Sequence, residues 1–316
     1  NFPLWQVFRF VAPTLMAGNV VMVKHAPGVP GCARAIEALF EEADAPRGLY
    51  TNLFISERSV HGLVADSRVA AVSLTGSTRA GRAVASTAGA HLKKCVLELG
   101  GSDPTVVLSG VDLPQAGRTI VTSRMANAGQ SCIAAKRVLV EEPLHDDLVE
   151  ALAKEMAMWA LEDPQDRRTM MGPMARIDLR DEVARQVAAS LAQGARCVLG
   201  GHAPDRPGAW YPPTLLTEVE PGMPAFDEEV FGPVVSVTRV QNYGEALALA
   251  NRTSFGLGAC LLGGGEEERA DFVRNIHAGA CFLGDFVRSD PRLPFGGVKA
   301  SGYGRELGRA GILEFV

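Results

Sequence analysis

Between Asn19 and Gly101, short apolar runs alternate with segments of helical periodicity. NVVMVKH (Asn19 to His25) reads as a buried strand. VPGCARAIEALFEEA (Val29 to Ala43) reads as a helix, with Pro30 suited to its first turn. YTNLFIS (Tyr50 to Ser56) and VAAVSLTG (Val69 to Gly76) read as further strands. A short helix, Glu57 to Asp66, separates them, and TRAGRAVASTAG (Thr78 to Gly89) is a helix before the apolar run KCVLELGG (Lys94 to Gly101). Strand and helix in strict alternation with short loops predict an α/β fold with a parallel, doubly wound sheet. Ligands bind such sheets beyond the carboxyl ends of the strands.

After Gly101 the texture changes. Longer helices are predicted near Leu113 to Ala126, His145 to Leu161 and Arg176 to Gln193, with short strands at Arg137 to Glu141, Cys197 to Leu199 and Val234 to Val240. The domain boundary is placed near Glu98 to Asp103, giving domains 1–98 and 99–316, the tail of the second running back toward the first. At the start, FPLWQVFRF (Phe2 to Phe10) reads as a helix that puts Trp5 and Arg9 on one face. Met156 and Met158 read as packing.

Composition narrows the function classes. The 316 residues are 47% apolar and 21% charged with a net charge of -5, ordinary for a globular protein. No long basic run offers a footprint for a phosphate backbone, so nucleic acid is not an expected partner. The longest apolar region, Phe2 to Val23, is broken by Arg9, Pro13 and Asn19, and no membrane partner is expected. The six cysteines form no CxxC pair and are scattered, so neither a structural metal nor a disulfide framework is expected.

Four stretches carry candidate chemistry. In LTGSTRAGRA (Leu74 to Ala83), Gly76 and Ser77 precede a helix whose N-terminus suits a pyrophosphate, while a plain tight turn is the alternative. In VLELGG (Val96 to Gly101), Glu98 ends an apolar strand, where burial raises a carboxyl toward the range of a general base. Local backbone N–H groups satisfying it is the alternative. In NAGQSCIAAKR (Asn127 to Arg137), Cys132 is either a nucleophile or a small buried spacer. It follows a helix C-terminus, the wrong end to lower a thiol pKa, so a nucleophile here needs another source of activation. Arg9 beside Trp5 suits a bidentate carboxylate clamp or a structural ion pair.

The ordered set NFP (Asn1 to Pro3), TGS (Thr75 to Ser77), ELGG (Glu98 to Gly101), GQSC (Gly129 to Cys132), EEVFGPV (Glu228 to Val234) and PFGGVKASGYGRELG (Pro294 to Gly308) resembles the aldehyde dehydrogenase superfamily over essentially the whole chain. Within it, FPLWQVFRF and RSDPRLPFGG look most like succinate-semialdehyde dehydrogenases. The resemblance implies a Rossmann-type cofactor domain plus an α/β catalytic domain. It implies Cys132 as nucleophile, Glu98 as the base that activates water, and Asn1 as an oxyanion-hole donor. It assigns cofactor contacts to Lys24, Gly76, Ser77, Leu99, Gly100, Glu229 and Phe231. Trp5, Arg9, Ser131, Ser289 and Phe295 line the substrate tunnel, Arg9 and Ser289 holding the distal carboxylate of succinic semialdehyde. The implied cofactor is NADP or NAD. Pro27, where similar NAD-using members have Glu, leaves no carboxylate to repel a 2′-phosphate and favours NADP. The chain opens inside the family's PWNFP motif and stops before its usual last strand. A longer cytoplasmic parent forming a homodimer or homotetramer is therefore expected, with a small aldehyde as its partner. Another small aldehyde, with Arg9 in a structural ion pair, or an inactive truncated nucleotide-binding or structural chain, are the alternative readings.

Overall fold

The computed structural model describes residues 1–316, which divide into two compact units. One comprises Phe2–Leu99 with Ser289–Val316, the other Gly100–Arg288 with Asn1.

In the unit that holds the first segment, α1 (Trp5–Met16) leads into β1 (Val21–Val23), α2 (Pro30–Glu42) and β2 (Tyr50–Asn52). Then come α3 (Val60–Ala65), β3 (Ala71–Thr75), α4 (Thr78–Ala90) and β4 (Lys94–Glu98). Pro30 sits at the first turn of α2, and Ser77 caps α4 by accepting from the Ala80 N–H. β1 pairs parallel with β2, and β3 parallel with β4. The parallel order matches the sequence reading, but these strands form two separate sheets rather than one. β1 and β2 are only three residues long, and the loop Lys24–Pro27 turns away before a wider ladder forms. The core of this unit is small: Val7, Val11, Val21, Ile36 and Tyr50, with Phe40 stacked on Tyr50 at 4.7 Å.

The other unit is built on a seven-stranded sheet. Its strands are β5 (Pro104–Val107), β6 (Arg137–Glu141), β7 (Arg196–Leu199), β8 (Thr214–Thr217), β9 (Val234–Val240), β10 (Gly258–Leu262) and β11 (Ala280–Leu283). The spatial order is β11-β10-β5-β6-β9-β8-β7, parallel except for the β7–β8 pair. Against it pack α5 (Leu113–Met125), α6 (His145–Met156) and α7 (Ile177–Ala192). Asp112 caps α5 by accepting from the Gln115 N–H. Ile120, Val121 and Met125 of α5, and Leu148 and Leu152 of α6, are fully buried. Each such side chain contributes about 1.5–3 kcal/mol relative to exposure. This large core fixes the stretches that flank Cys132 and Glu229.

The tail returns to the first unit through β12 (Gly302–Tyr303), which pairs antiparallel with β4, Gly302 opposite Glu98. Gly302 has φ +111°, and a Cβ there would lie on the Leu97 carbonyl, so only glycine allows this close pairing. No helix is long and apolar enough to cross a membrane.

Candidate active site

The nucleophile candidate sits in a rigid turn. After α5, three consecutive residues adopt left-handed backbone: Asn127 (φ 55°), Ala128 (φ 53°) and Gly129 (φ 72°). A Cβ on Gly129 would meet the Gly232 carbonyl, so the turn presses against the Glu228–Val234 stretch. Arg124, fully buried, ties the two together. Its guanidinium donates to the carbonyls of Gly129 (3.2 Å), Val230 (2.6 Å) and Val234. Gln130 is also buried: its amide donates to Asn127 O at 3.0 Å, and its oxygen accepts from Ala175 N at 2.9 Å. Ser131 is buried and Cys132 half-buried, and none of the six cysteines is in a disulfide.

Asn1 lies in the same place. Its Nδ2 donates to Gln130 O at 2.9 Å, and Asn127 Nδ2 donates to the Asn1 carbonyl at 3.2 Å. Lys136, the residue before β6, donates its ammonium to the carbonyls of Ser131 (2.9 Å) and Cys132 (2.7 Å). Glu229 lies 3.8 Å from the same ammonium, and its Oε1 accepts from Gly101 N at 2.9 Å. A Cβ on Gly100 would fall on Glu229 Oε2 and within 3.1 Å of the Phe255 ring. Phe231 is half-buried in the stretch that Arg124 holds. Asn1, Gly100, Ser131, Cys132, Glu229 and Phe231 thus belong to one unit.

The other expected residues belong to the unit that holds the first segment of the chain. Glu98 closes β4, is 2% exposed, and neither of its oxygens has a hydrogen-bond partner. Burial first, then the Glu306 carboxylate, pushes its carboxyl up to about 9, against the pull of Arg9 and Arg305. The alternative reading, satisfaction by local N–H groups, is therefore absent here. Arg305 donates to the carbonyls of Gly297 (3.0 Å) and Gly304 (2.7 Å). Leu99 N donates to Ser301 O at 3.0 Å, and the Leu99 side chain fills the space beside Gly81. Gly76 N donates to Glu98 O at 3.0 Å, and Gly76 and Ser77 lie exposed at the start of α4. Lys24 is half-buried just past β1.

Of the residues expected in the substrate tunnel, Trp5, Arg9, Ser289 and Phe295 lie in this same unit. Arg9 is 4% exposed, and its guanidinium is bonded to Glu306, reaches Thr75 Oγ1 at 3.5 Å and lies 4.3 Å over the Phe295 ring. Glu306 also accepts from Ser73 Oγ at 3.2 Å. In this structure Arg9 is ion-paired with Glu306, because a buried guanidinium needs its charge matched within the fold. Phe295, expected to line the tunnel, is the platform beneath that guanidinium. Trp5 is 37% exposed on α1. Ser289 keeps a buried hydroxyl without a partner. The sequence reading missed Glu306, Lys136 and Arg124. The signal for Lys136 was a charge inside the apolar run IAAKRVLV, and for Glu306 a lone acid between Arg305 and Leu307.

The whole chain, residues 1–316, matches the family description "Aldehyde dehydrogenase family". The chain belongs to the aldehyde dehydrogenase family. It is 49% identical over 316 residues to a Synechocystis protein described as a probable succinate-semialdehyde dehydrogenase (NADP+), covering all of this chain and 70% of the relative. It is 47% identical over 315 residues to the succinate semialdehyde dehydrogenase (NAD(P)+) of Escherichia coli K12, covering 100% of this chain and 68% of the relative. Among solved structures, the succinic semialdehyde dehydrogenase of Streptococcus pyogenes in complex with NADP+ superposes with a TM-score of 0.96 at 38% identity, over 99% of this chain and 69% of that one. The α/β aldehyde dehydrogenase-like fold expected from the sequence, and the oxidoreductase class acting on aldehydes, hold for this aldehyde dehydrogenase.

Proposed function

We propose that this aldehyde dehydrogenase oxidises succinic semialdehyde to succinate with NADP or NAD, through a covalent intermediate on Cys132. Similarity to the succinate-semialdehyde dehydrogenases supports the substrate, and the NADP+ in their descriptions supports the cofactor. The observation that carries the enzymatic reading is Glu98. A carboxyl 2% exposed with no hydrogen-bond partner contributes nothing to packing, and such groups mark chemistry.

The cofactor fits the residues present. Gly100 lets the Glu229 carboxylate, the proposed ribose contact, pack where any side chain would overlap it. Gly76 and Ser77 expose the N-terminus of a 13-residue helix, where free N–H groups and the helix dipole favour an anion. Lys24, Leu99 and Phe231 complete the proposed set. When bound, NADP or NAD supplies the two-electron acceptor that turns the thiohemiacetal into a thioester.

The protein's own residues carry the rest. Cys132 Sγ bonds to the aldehyde carbon, and the carbonyl oxygen takes up the negative charge. The Asn1 amide and the Cys132 N–H would stabilise that charge, each donor of this kind being worth roughly 3–4 kcal/mol. The backbone of the nucleophile loop does not have to move for this, since Arg124 and Lys136 already hold it. Glu98 then takes a proton from water, the water oxygen bonds to the thioester carbon, and the C–S bond breaks to release the acid and restore Cys132. Because burial holds Glu98 protonated at neutral pH, the ionised base becomes more abundant as pH rises toward about 9. We propose that the complete protein assembles as a homo-oligomer.

A second reading, an uncharged aldehyde, is favoured by one observation: Arg9 is bound to Glu306, so no free cation is assigned to the distal carboxylate. Nicotinamide reduction by the complete protein decides between them, using succinic semialdehyde against butanal, with Cys132→Ala as control. Preference for the acid supports the first reading, and equal rates support the second. Reduction that survives in Cys132→Ala would remove the covalent route.

A further inference from the structure

We infer that Lys136 is a positioning residue for the Cys132 nucleophile: its ammonium clamps the two carbonyls on either side of the Cys132 Cα and fixes a positive charge against the residue that bears the thiol. The inference rests on the reading of Cys132 as the nucleophile.

The geometry is that of a bracket. The main chain of Lys136 is locked into the sheet, its N–H donating to Asp103 O at 3.1 Å and its carbonyl accepting from Ser236 N at 3.2 Å and Ser236 Oγ at 2.9 Å. From that fixed base the side chain, 2% exposed, crosses to Ser131 O at 2.9 Å and Cys132 O at 2.7 Å. The remaining side of the ammonium faces Glu229 Oε1 at 3.8 Å, and that oxygen also accepts from Gly101 N. Gly101 completes the enclosure, since a Cβ there would lie 2.6 Å from Cys132 O. Groups on rigid elements hold a site more accurately than groups on loops, and here the rigid element reaches out and grips the loop.

Two carbonyls do not require a cation. A neutral amide would serve them without the expense of burying a charge. The charged groups acting on Lys136 within this unit are Glu229, Asp103 and Cys132, which favour the ammonium, and Arg124, which opposes it. Burial is the largest influence and lowers the Lys136 pKa. A cation kept beside a thiol under that pressure favours the thiolate. It replaces the helix dipole that this cysteine, following a helix C-terminus, lacks.

The test follows alkylation of Cys132 by iodoacetamide across pH 6–10, in the complete protein without cofactor, reading each cysteine peptide by mass spectrometry. Lys136→Met removes charge and donors, and Lys136→Gln removes the charge but keeps a donor. The expected result is a midpoint raised by about one pH unit in both variants, hence about tenfold slower labelling well below the midpoint, with the same rate on the alkaline plateau. Loss of a purely structural tether changes the plateau and leaves the midpoint in place, and that outcome would overturn the inference. Cys132 labelling no faster than the other five cysteines in the unsubstituted protein would overturn the nucleophile reading, and this one with it. Thermal unfolding of each variant identifies one that has not folded, and Lys136→Gln then carries the comparison alone.

Discussion

Replacing Glu98 with glutamine separates the electrostatic state of this group from its packing. The glutamine has nearly the same shape and cannot ionise. In the folded chain the Glu98 carboxyl stands at about 9 against an ordinary value of 4.5. Between those values the folded state keeps a proton that the unfolded state has released, so stability is full below the lower value and is lost progressively as pH rises to the upper one. Each pH unit in that window removes about 1.4 kcal/mol, so pH 6 to pH 8 removes about 3 kcal/mol through this group alone. Glu98→Gln removes the dependence, and its advantage over the parent should widen by that amount across the interval. Urea unfolding measures it. With Trp159→Phe and Trp210→Phe in the background, Trp5 reports on the unit that contains Glu98. A urea slope of roughly 1–3 kcal/mol/M turns the effect into a midpoint gap that widens by about 1 M or more. A gap that stays constant from pH 6 to pH 8 would refute the argument and show Glu98 already ionised at neutrality. The same substitution should reduce turnover by about 10²–10⁴ at the hydrolytic step while Cys132 still reacts with aldehyde.

Arg9→Met should destabilise its unit by about 3–5 kcal/mol in thermal or urea unfolding, because it strands the Glu306 charge in a buried site. Adding Glu306→Met should recover most of that loss, an outcome that a substrate-facing Arg9 would not give. Gly100→Ala would place a methyl group on Glu229 Oε2 and break the bond from Gly101 N. The expected result is a KM for the nicotinamide cofactor raised about tenfold or more, since a hydrogen bond to a charged group is worth about 1.5–3 kcal/mol, with cofactor titration as the check.

Local pattern revealed those parts of the fold whose physics is local. β6 and β9 begin and end where the apolar runs Arg137 to Glu141 and Val234 to Val240 do, because both are central strands. The helix Thr78–Ala90 was legible, as Thr78 to Gly89, from its place after a strand in the alternating pattern, while its Ser77 cap was not read. β8, β10 and β11 were not singled out. Runs as short as TLLT or GACLL fit a buried strand and a helix segment equally, and only their neighbours in the sheet decide. Helix α6 stops at Met156, short of the expected Leu161, although the apolar residues continue. In the site, residue types announced Cys132 and Glu98, since a lone thiol or a carboxyl in an apolar run needs a reason. What those types could not announce was partnership. Glu306 meets Arg9 across 297 positions of sequence, and no periodicity carries that information.

The left-handed turn before the nucleophile bears on how relatives of this chain diverge. Gly129 is closed to any side chain by the Gly232 carbonyl, whatever the chemistry beyond it. Asn127 belongs to the few residue types that accept its backbone readily, and Gln130 is held by bonds at both ends of its amide. These three are constrained by folding. A descendant that had lost catalysis altogether would still keep them, while nothing in the packing would preserve the thiol at 132 or the unpaired acid at 98. Retention of Asn-Ala-Gly-Gln in such a lineage records only that the chain still folds. Under the proposed mechanism, the pair Cys132 and Glu98 is what would separate a working descendant from a silent one.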